Sequence, residues 1–342
     1  MGFLRRLVRG SRAHGEVDRG RVLEATERIV ALSPYLRMAR RYQARLEPAV
    51  AAAIKYLDGV AAAANAPREA SAQAWPVDPY IHAFFAAPTD IAPALSRSAD
   101  LRAFFARYPD APEAYGVLGM AMTEKRILGV ALEGETMRRD VVQETLSFSD
   151  HQVRICGATE AGLREEIVRR LVDQLGLEGL RRAGADRNRR GALEQERALL
   201  KTRLQLLERQ GVGVRAVLGS EDGAGAGSDE LDRLRQQVAD NEASLADLGI
   251  RSEALDRALD QLCAVLSEPS AHLYVESRRF RLNKMNVVLA EHSPEAGDDI
   301  TFQVARVPTN PPLTRAFTLV RFERAGLLPA TSLLDEAARL LG

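Results

Sequence analysis

The side chains best suited to chemistry are few and scattered. Five histidines stand at positions 14, 82, 151, 272 and 292, and no two lie three or four residues apart. No single helix face therefore offers a histidine pair to a metal ion. Cys156 and Cys263 make no Cys-x-x-Cys pair, and two cysteines in 342 residues exclude a disulfide framework. The reading is no metal site and no cofactor. Asp150-His151 is an adjacent acid–base pair, and a carboxylate beside an imidazole can polarise a general base. The pair falls in Ser149-Asp150-His151, where a turn between strands is expected, and turns use aspartate for local hydrogen bonding. No catalytic residue is assigned, although this pair is the first to inspect if an enzyme pocket lies between the helical and β regions.

Gly223, Gly225 and the start of a helical pattern imitate a dinucleotide-binding turn. The place of the third glycine is taken by Ser228, and Glu221, Asp222, Asp229 and Glu230 crowd the site where phosphate would bind. The stretch reads as a loop tip. No Gly-x-x-x-x-Gly-Lys-Ser/Thr run occurs. Two basic clusters remain. One is Arg181, Arg182, Arg187, Arg189 and Arg190; the other is Arg278, Arg279, Arg281 and Lys284 beside Tyr274 and Phe280. Cations interleaved with aromatics on a sheet can hold single-stranded nucleic acid. Arg279, Arg281 and Lys284 are the candidate patch. Strand alternation sends Arg279 and Arg281 one way and Arg278 and Lys284 the other, so a solvated, ion-paired strand is the preferred reading. Lys+Arg and Asp+Glu both total 47, which removes any global attraction to polyanions.

The elements that position these residues give the stronger signal. With Leu231 at a, the a positions are Leu231, Val238, Leu245, Ser252, Leu259 and Leu266, and the d positions are Leu234, Asn241, Leu248, Leu255 and Leu262. Nine of the eleven are apolar, as an unbroken coiled-coil helix of roughly 54 Å requires. Asn241 is the polar position expected to set register. An opposing arm precedes it, with Leu163, Ile167, Leu171 and Leu175, then Gly176, Gly179 and Gly184 as weak points, then Leu193, Leu200, Leu204 and Leu207. Residues 178–210 carry a net charge of +4 and residues 221–247 a net charge of −6, which favours antiparallel pairing of the two arms. A second apolar line, Ala192, Leu199 and Leu206, widens the first arm beyond what one partner helix covers. Either another domain of the same chain or a second protomer covers it, and the second is the preferred reading.

Strands are expected on both sides of this segment: Arg126–Leu132, Val141–Phe148 and Gln152–Cys156 before it, and Leu273–Val275, Arg279–Val288, Asp299–Val307 and Ala316–Phe322 after it. Neither group manages both of its edges alone, so one antiparallel sheet or small barrel is expected to hold both. Val22, Ala25, Ile29 and Val30 and then Leu46, Val50, Ile54 and Leu57 recur at helical spacing. Pro34 and Pro48 read as helix starts. Pro67–Pro88 reads as a linker or a surface excursion, and Phe84, Phe85, Phe104 and Phe105 as core or docking anchors.

The expected fold class is thus α+β and predominantly helical, with an N-terminal helical region and an antiparallel β-domain interrupted by a long antiparallel coiled-coil hairpin. The expected domains are a basic tail (1–20), a helical domain (21–112), a split β-domain (113–158 with 269–328), an inserted hairpin (159–268, tip about 211–227) and a C-terminal helix (329–342). Nothing reaches the roughly 18 apolar residues of a membrane span, so a cytoplasmic location is expected. Phe3, Leu4, Leu7 and Val8 in the tail offer weak contact with a membrane surface. The expected function is a non-enzymatic cytoplasmic assembly or adaptor protein. Self-association or partner docking would use Leu193, Leu199, Leu200, Leu206, Leu207, Leu231, Leu234, Val238, Asn241, Leu245 and Leu248. Nucleic-acid binding and an unrecognised enzyme are the alternatives.

Overall fold

The computed structural model describes residues 17–133, 136–218, 224–248, 253–290, 292–293, 295–309 and 311–329. The tail to residue 16, the centre of the expected tip at 219–223 and the C-terminal helix beyond 329 lie outside the described residues. Helices α1 (Arg19–Leu32) and α2 (Tyr42–Ala63) come first, then strand β1 (Arg68–Glu69) and helices α3 (Pro79–Phe84), α4 (Ile91–Ser96) and α5 (Ala99–Arg107). Strands β2 (Glu113–Glu133) and β3 (Thr136–Gly157) lead into helices α6 (Glu160–Leu218), α7 (Ala224–Asp247) and α8 (Ala254–Ser267). Strands β4 (Tyr274–Leu282), β5 (Asp298–Val307) and β6 (Leu313–Glu323) close the order. Helix predominates, and the strands form one sheet that is antiparallel apart from the β1–β6 pair.

The described residues divide into two compact units. The first holds residues 52–175 and 268–329, and with them the whole sheet, in the order β3-β2-β6-β5-β4. The junction between its early and late strands is β2–β6, registered from Glu113↔Glu323 to Met120↔Ala316. Val287 bridges to Thr145 of β3, and Val288 to Leu282 of β4. The two outer strands are thereby linked locally through residues 287–288.

Alternation gives the sheet two apolar faces. Leu118, Met120, Ile300, Phe302, Val320 and Phe322 pack with Ile81 and Phe84 of α3, Leu95 of α4 and Phe104 and Phe105 of α5. Phe302 is the hub, 5.0 Å from the Phe148 ring and 5.7 Å from the Phe84 ring. On the opposite face Leu319, Tyr115, Val117 and Phe317 meet Ala64, Leu163 and Ile167. Arg164 of α6 closes the end of α2, donating to the carbonyls of Ala61, Ala64 (3.2 Å) and Asn65 (3.3 Å), which a helix terminus leaves unpaired. Buried Gln303 donates to the Ala63 carbonyl (3.1 Å) and accepts from the Asn65 amide (3.3 Å).

Several sequence expectations change here. The three early strands are two long ones. Ser149-Asp150-His151 is a bulge within β3, where Asp150 has φ 52° and the register jumps between Gly119 and Ala121. Residues that suit a turn also suit a bulge, since both need a left-handed position that aspartate tolerates. Of the two expected strands, Tyr274–Val275 and Arg279–Leu282 belong to one strand, β4, which ends at Leu282. The supposed linker Pro67–Pro88 is built into the first unit: β1 pairs with β6, and Trp75 Nε1 donates to the Phe85 carbonyl at 2.8 Å. Pro48 lies inside α2, whose apolar line of Leu46, Val50, Ile54 and Leu57 is fully buried. That burial outweighs the loss of one helical hydrogen bond. Of residues 21–112, those up to 51 fall in the second unit and the rest in the first.

The second unit comprises residues 18–51 and 176–267. Arg45 pairs with Asp256 (2.9 Å) and Asp260 of α8. The Arg40 amide donates to Asp256 Oδ1 at 3.1 Å. The expected unbroken 231–266 helix is interrupted: α7 ends at Asp247 and α8 begins at Ala254. Helix α6 shows the reverse. It runs through Gly176, Gly179 and Gly184 without interruption and continues to Leu218, into the expected tip.

Candidate interaction surface

On α7 and α8 the heptad positions face inward. Leu234, Asn241, Leu245, Leu259, Leu262 and Leu266 are buried, and Leu231, Val238, Leu248 and Leu255 are half-buried. Between Asp232 and Asp247 every other residue except half-buried Ser244 is exposed. The phase survives the helix break because Leu248 and Leu255 stand seven residues apart. Arg190 donates to the Leu248 carbonyl (2.6 Å) and Asn241 Nδ2 to Glu196 Oε2 (3.0 Å), so rising numbers on α6 meet falling numbers on α7. Lys201 pairs with Glu242 at 2.6 Å. Asn241 Oδ1 is buried and accepts no hydrogen bond among the described residues.

On α6 the facing line includes half-buried Leu193, Leu200, Leu204 and Leu207. Toward the root it continues as Ala183, Gly179 and Gly176, which lack bulk for a reason. A Cβ on Gly179 would stand 2.8 Å from Leu262 Cδ1, and one on Gly176 would stand 3.1 Å from Ile29 Cγ1. These glycines allow close helix approach; the sequence shows them only as poor helix formers. The line offset from this seam is bare. Leu199 is 72% exposed and Leu206 54%, and Ala192 is exposed as well.

A buried carboxylate lies near the root of this part of α6. Glu178 accepts from Arg181 (2.7 Å) and Arg182 (2.9 Å). The Arg181 hydrogen bond, above all, holds its pKa below the usual carboxylate range.

The expected strands Arg126–Leu132 and Val141–Phe148 fall in the far part of β2 and β3, where each strand extends beyond Met120, the last residue of β2 to pair with β6. Leu128 stands directly opposite Val142 there, both largely exposed. Strand alternation alone left no sign that this ribbon outruns the rest of the sheet.

The chemical candidates are occupied elsewhere. His151 Nε2 lies 2.8 Å from the Phe84 carbonyl oxygen, and its ring stacks on Phe85 at 4.5 Å. Burial pushes its pKa down. Asp150 accepts from Arg315 and from Gln152 (2.9 Å), and the Arg315 bond lowers its pKa. These two side chains are bonded to different groups. Cys156 and Cys263 are free thiols. Burial raises Cys156 to about 12 and raises Cys263 in the same direction, which keeps both protonated and poorly nucleophilic.

Among the candidate nucleic-acid residues, Arg279 lies 3.4 Å from Asp299, and Arg281 donates to the Glu295 carbonyl at 3.2 Å. Lys284 is exposed in the turn after β4. Neighbouring Arg278 pairs with Glu124 at 2.6 Å. Acids interleave with these cations. No cluster of three or more His, Cys, Asp or Glu that could hold a metal ion occurs among the described residues. No helix among them is long and apolar enough to cross a membrane. Comparison with known protein families, characterised proteins and solved structures finds no match to the chain.

Proposed function

We propose that residues 159–268 act as an antiparallel coiled-coil hairpin and that the protein is a non-enzymatic assembly or adaptor protein working through it. One observation carries this reading. Helix α6 has two leucine lines, one turned to α7 and the other, Leu199 and Leu206, left in solvent. A leucine line at heptad spacing is costly to leave wet, at roughly 1.5–3 kcal/mol per side chain not buried. Its cover is therefore sought in another protein chain. A cytoplasmic setting belongs to the same reading, supported by two free thiols that burial keeps protonated. The strand cations support nucleic-acid binding less well, because Asp299 and Glu124 stand beside them.

The hairpin is tested by separating its two lines. Leu234→Asp with Leu245→Asp puts charge into the α6–α7 seam and is expected to lower the far-UV helix signal and the unfolding midpoint. Leu199→Asp is expected to leave the helix signal unchanged. Seam variants that keep wild-type helix content and midpoint sink the reading.

A further inference from the structure

The line carrying Leu199 and Leu206 continues along α6 without a charge. Asn188, Ala192, Gln195, Leu199, Thr202 and Leu206 follow at alternating steps of four and three, and all six are exposed. Eight of the other fifteen residues between 187 and 207 are ionic. A face meant only for water has no reason to exclude charge in this way, whereas a helix–helix seam does. The geometry points to a second seam, at which α6 of one chain packs antiparallel against α6 of a second copy. This rests on the hairpin reading, which assigns the other leucine line to α7.

The choice of a second copy, and of the antiparallel sense, comes from the flanking charges. With Leu199 and Leu206 at a, Gln195 and Thr202 fall at d, and Glu196 and Arg203 occupy the adjoining e positions. Antiparallel helices set e against e. A two-fold axis between positions 199 and 200 then brings Glu196 of each chain opposite Arg203 of the other. The remaining flank holds Gly191, Ala198 and Gln205, which bring no charge to clash. A parallel pairing sets g against e and gives neither ion a complement. The stripe is thus complementary to itself in one orientation, as an isologous interface requires.

The test uses the full chain in sedimentation equilibrium over a wide concentration range, with far-UV circular dichroism as the folding control. The wild type is expected to sediment as a dimer. Leu199→Glu with Leu206→Glu is expected to give monomer with an unchanged helix signal. Arg203→Glu, an exposed change that leaves the leucines intact, places Glu against Glu and is expected to weaken dimerisation by at least ~10-fold. Adding Glu196→Arg to it exchanges the two charges and is expected to restore the dimer. A wild type that is monomeric throughout, or a dimer that survives the leucine variant, overturns the proposal. Dissociation by the leucine variant with no response to Arg203→Glu overturns the antiparallel register. Loss of helix in the Leu234 and Leu245 variants beside a monomeric wild type leaves the hairpin standing and removes only its self-pairing.

Discussion

Glu178 is a carboxylate almost sealed from solvent, and two neighbouring guanidiniums keep it charged there. Burial alone would raise its pKa; the hydrogen bonds from Arg181 and Arg182 more than offset this, and the net direction is down. The linkage follows from that direction. A group with a depressed folded-state pKa contributes stability that is present above its unfolded value and is lost as pH falls through the folded one. Glu178→Gln is therefore expected to be less stable than wild type at neutral pH. The gap in urea midpoint should close as pH falls below the ordinary carboxylate range and the wild-type carboxylate becomes protonated. A constant gap from pH 7 to pH 3 contradicts this account. At the same scale, Asp150-His151 shows how little adjacency in the chain says about chemistry. The bulge in β3 turns this part of the strand, and each side chain finds its own partner, His151 at Phe84 and Asp150 at Arg315.

Helix α6 shows what a sequence pattern conceals at the scale of an element. Gly179 and Gly184 both read as weak points, yet the helix passes through both. Gly179 is held against Leu262, whose Cα would lie 2.9 Å from an added Cβ, while an added Cβ on Gly184 meets nothing within 4 Å. Opposite outcomes are expected in denaturant titration. Gly179→Ala should destabilise by about 1–3 kcal/mol through overpacking. Gly184→Ala should stabilise by about 0.5–1 kcal/mol by removing backbone freedom from the unfolded chain. Equal effects would show that the close approach at Gly179 does not matter. The heptads of α7 and α8 were legible because leucine at a seven-residue repeat has one common cause. The break between Asp247 and Ala254 was not legible, since the leucine phase runs straight across it. The bulge in β3 escaped for a related reason: Ser, Asp and His at 149–151 suit a turn and a bulge equally.

At the scale of the whole molecule, the sheet cannot be assembled from one stretch of chain. Among the described residues, β2 pairs with β6 besides β3, and more than 150 residues separate the two. Ending the chain after Glu268 removes β4, β5, β6 and the Phe302 hub. The amides of Glu113–Met120 are then expected to exchange with solvent at near-unfolded rates, against strong protection in the full chain. Retained protection would mean that β2 and β3 are stable alone, contrary to the marginal stability of two-stranded hairpins.

Hydrophobic period was enough to read the helical and strand character and the buried leucine positions of α7 and α8, because burial leaves a repeat in the chain; for Phe84, Phe85, Phe104 and Phe105 it left core and docking open, and the fold puts them in the core. The exposed Leu199 line was visible for the same reason. Three matters rested on tertiary structure alone. Residues 18–51, which read with the rest of the N-terminal helices, join the second compact unit; residues 68–69 pair with β6 and residues 287–288 bridge to β3 and β4; and the strand cations stand beside acids. Each of these depends on contacts between residues far apart in sequence, which no local period records.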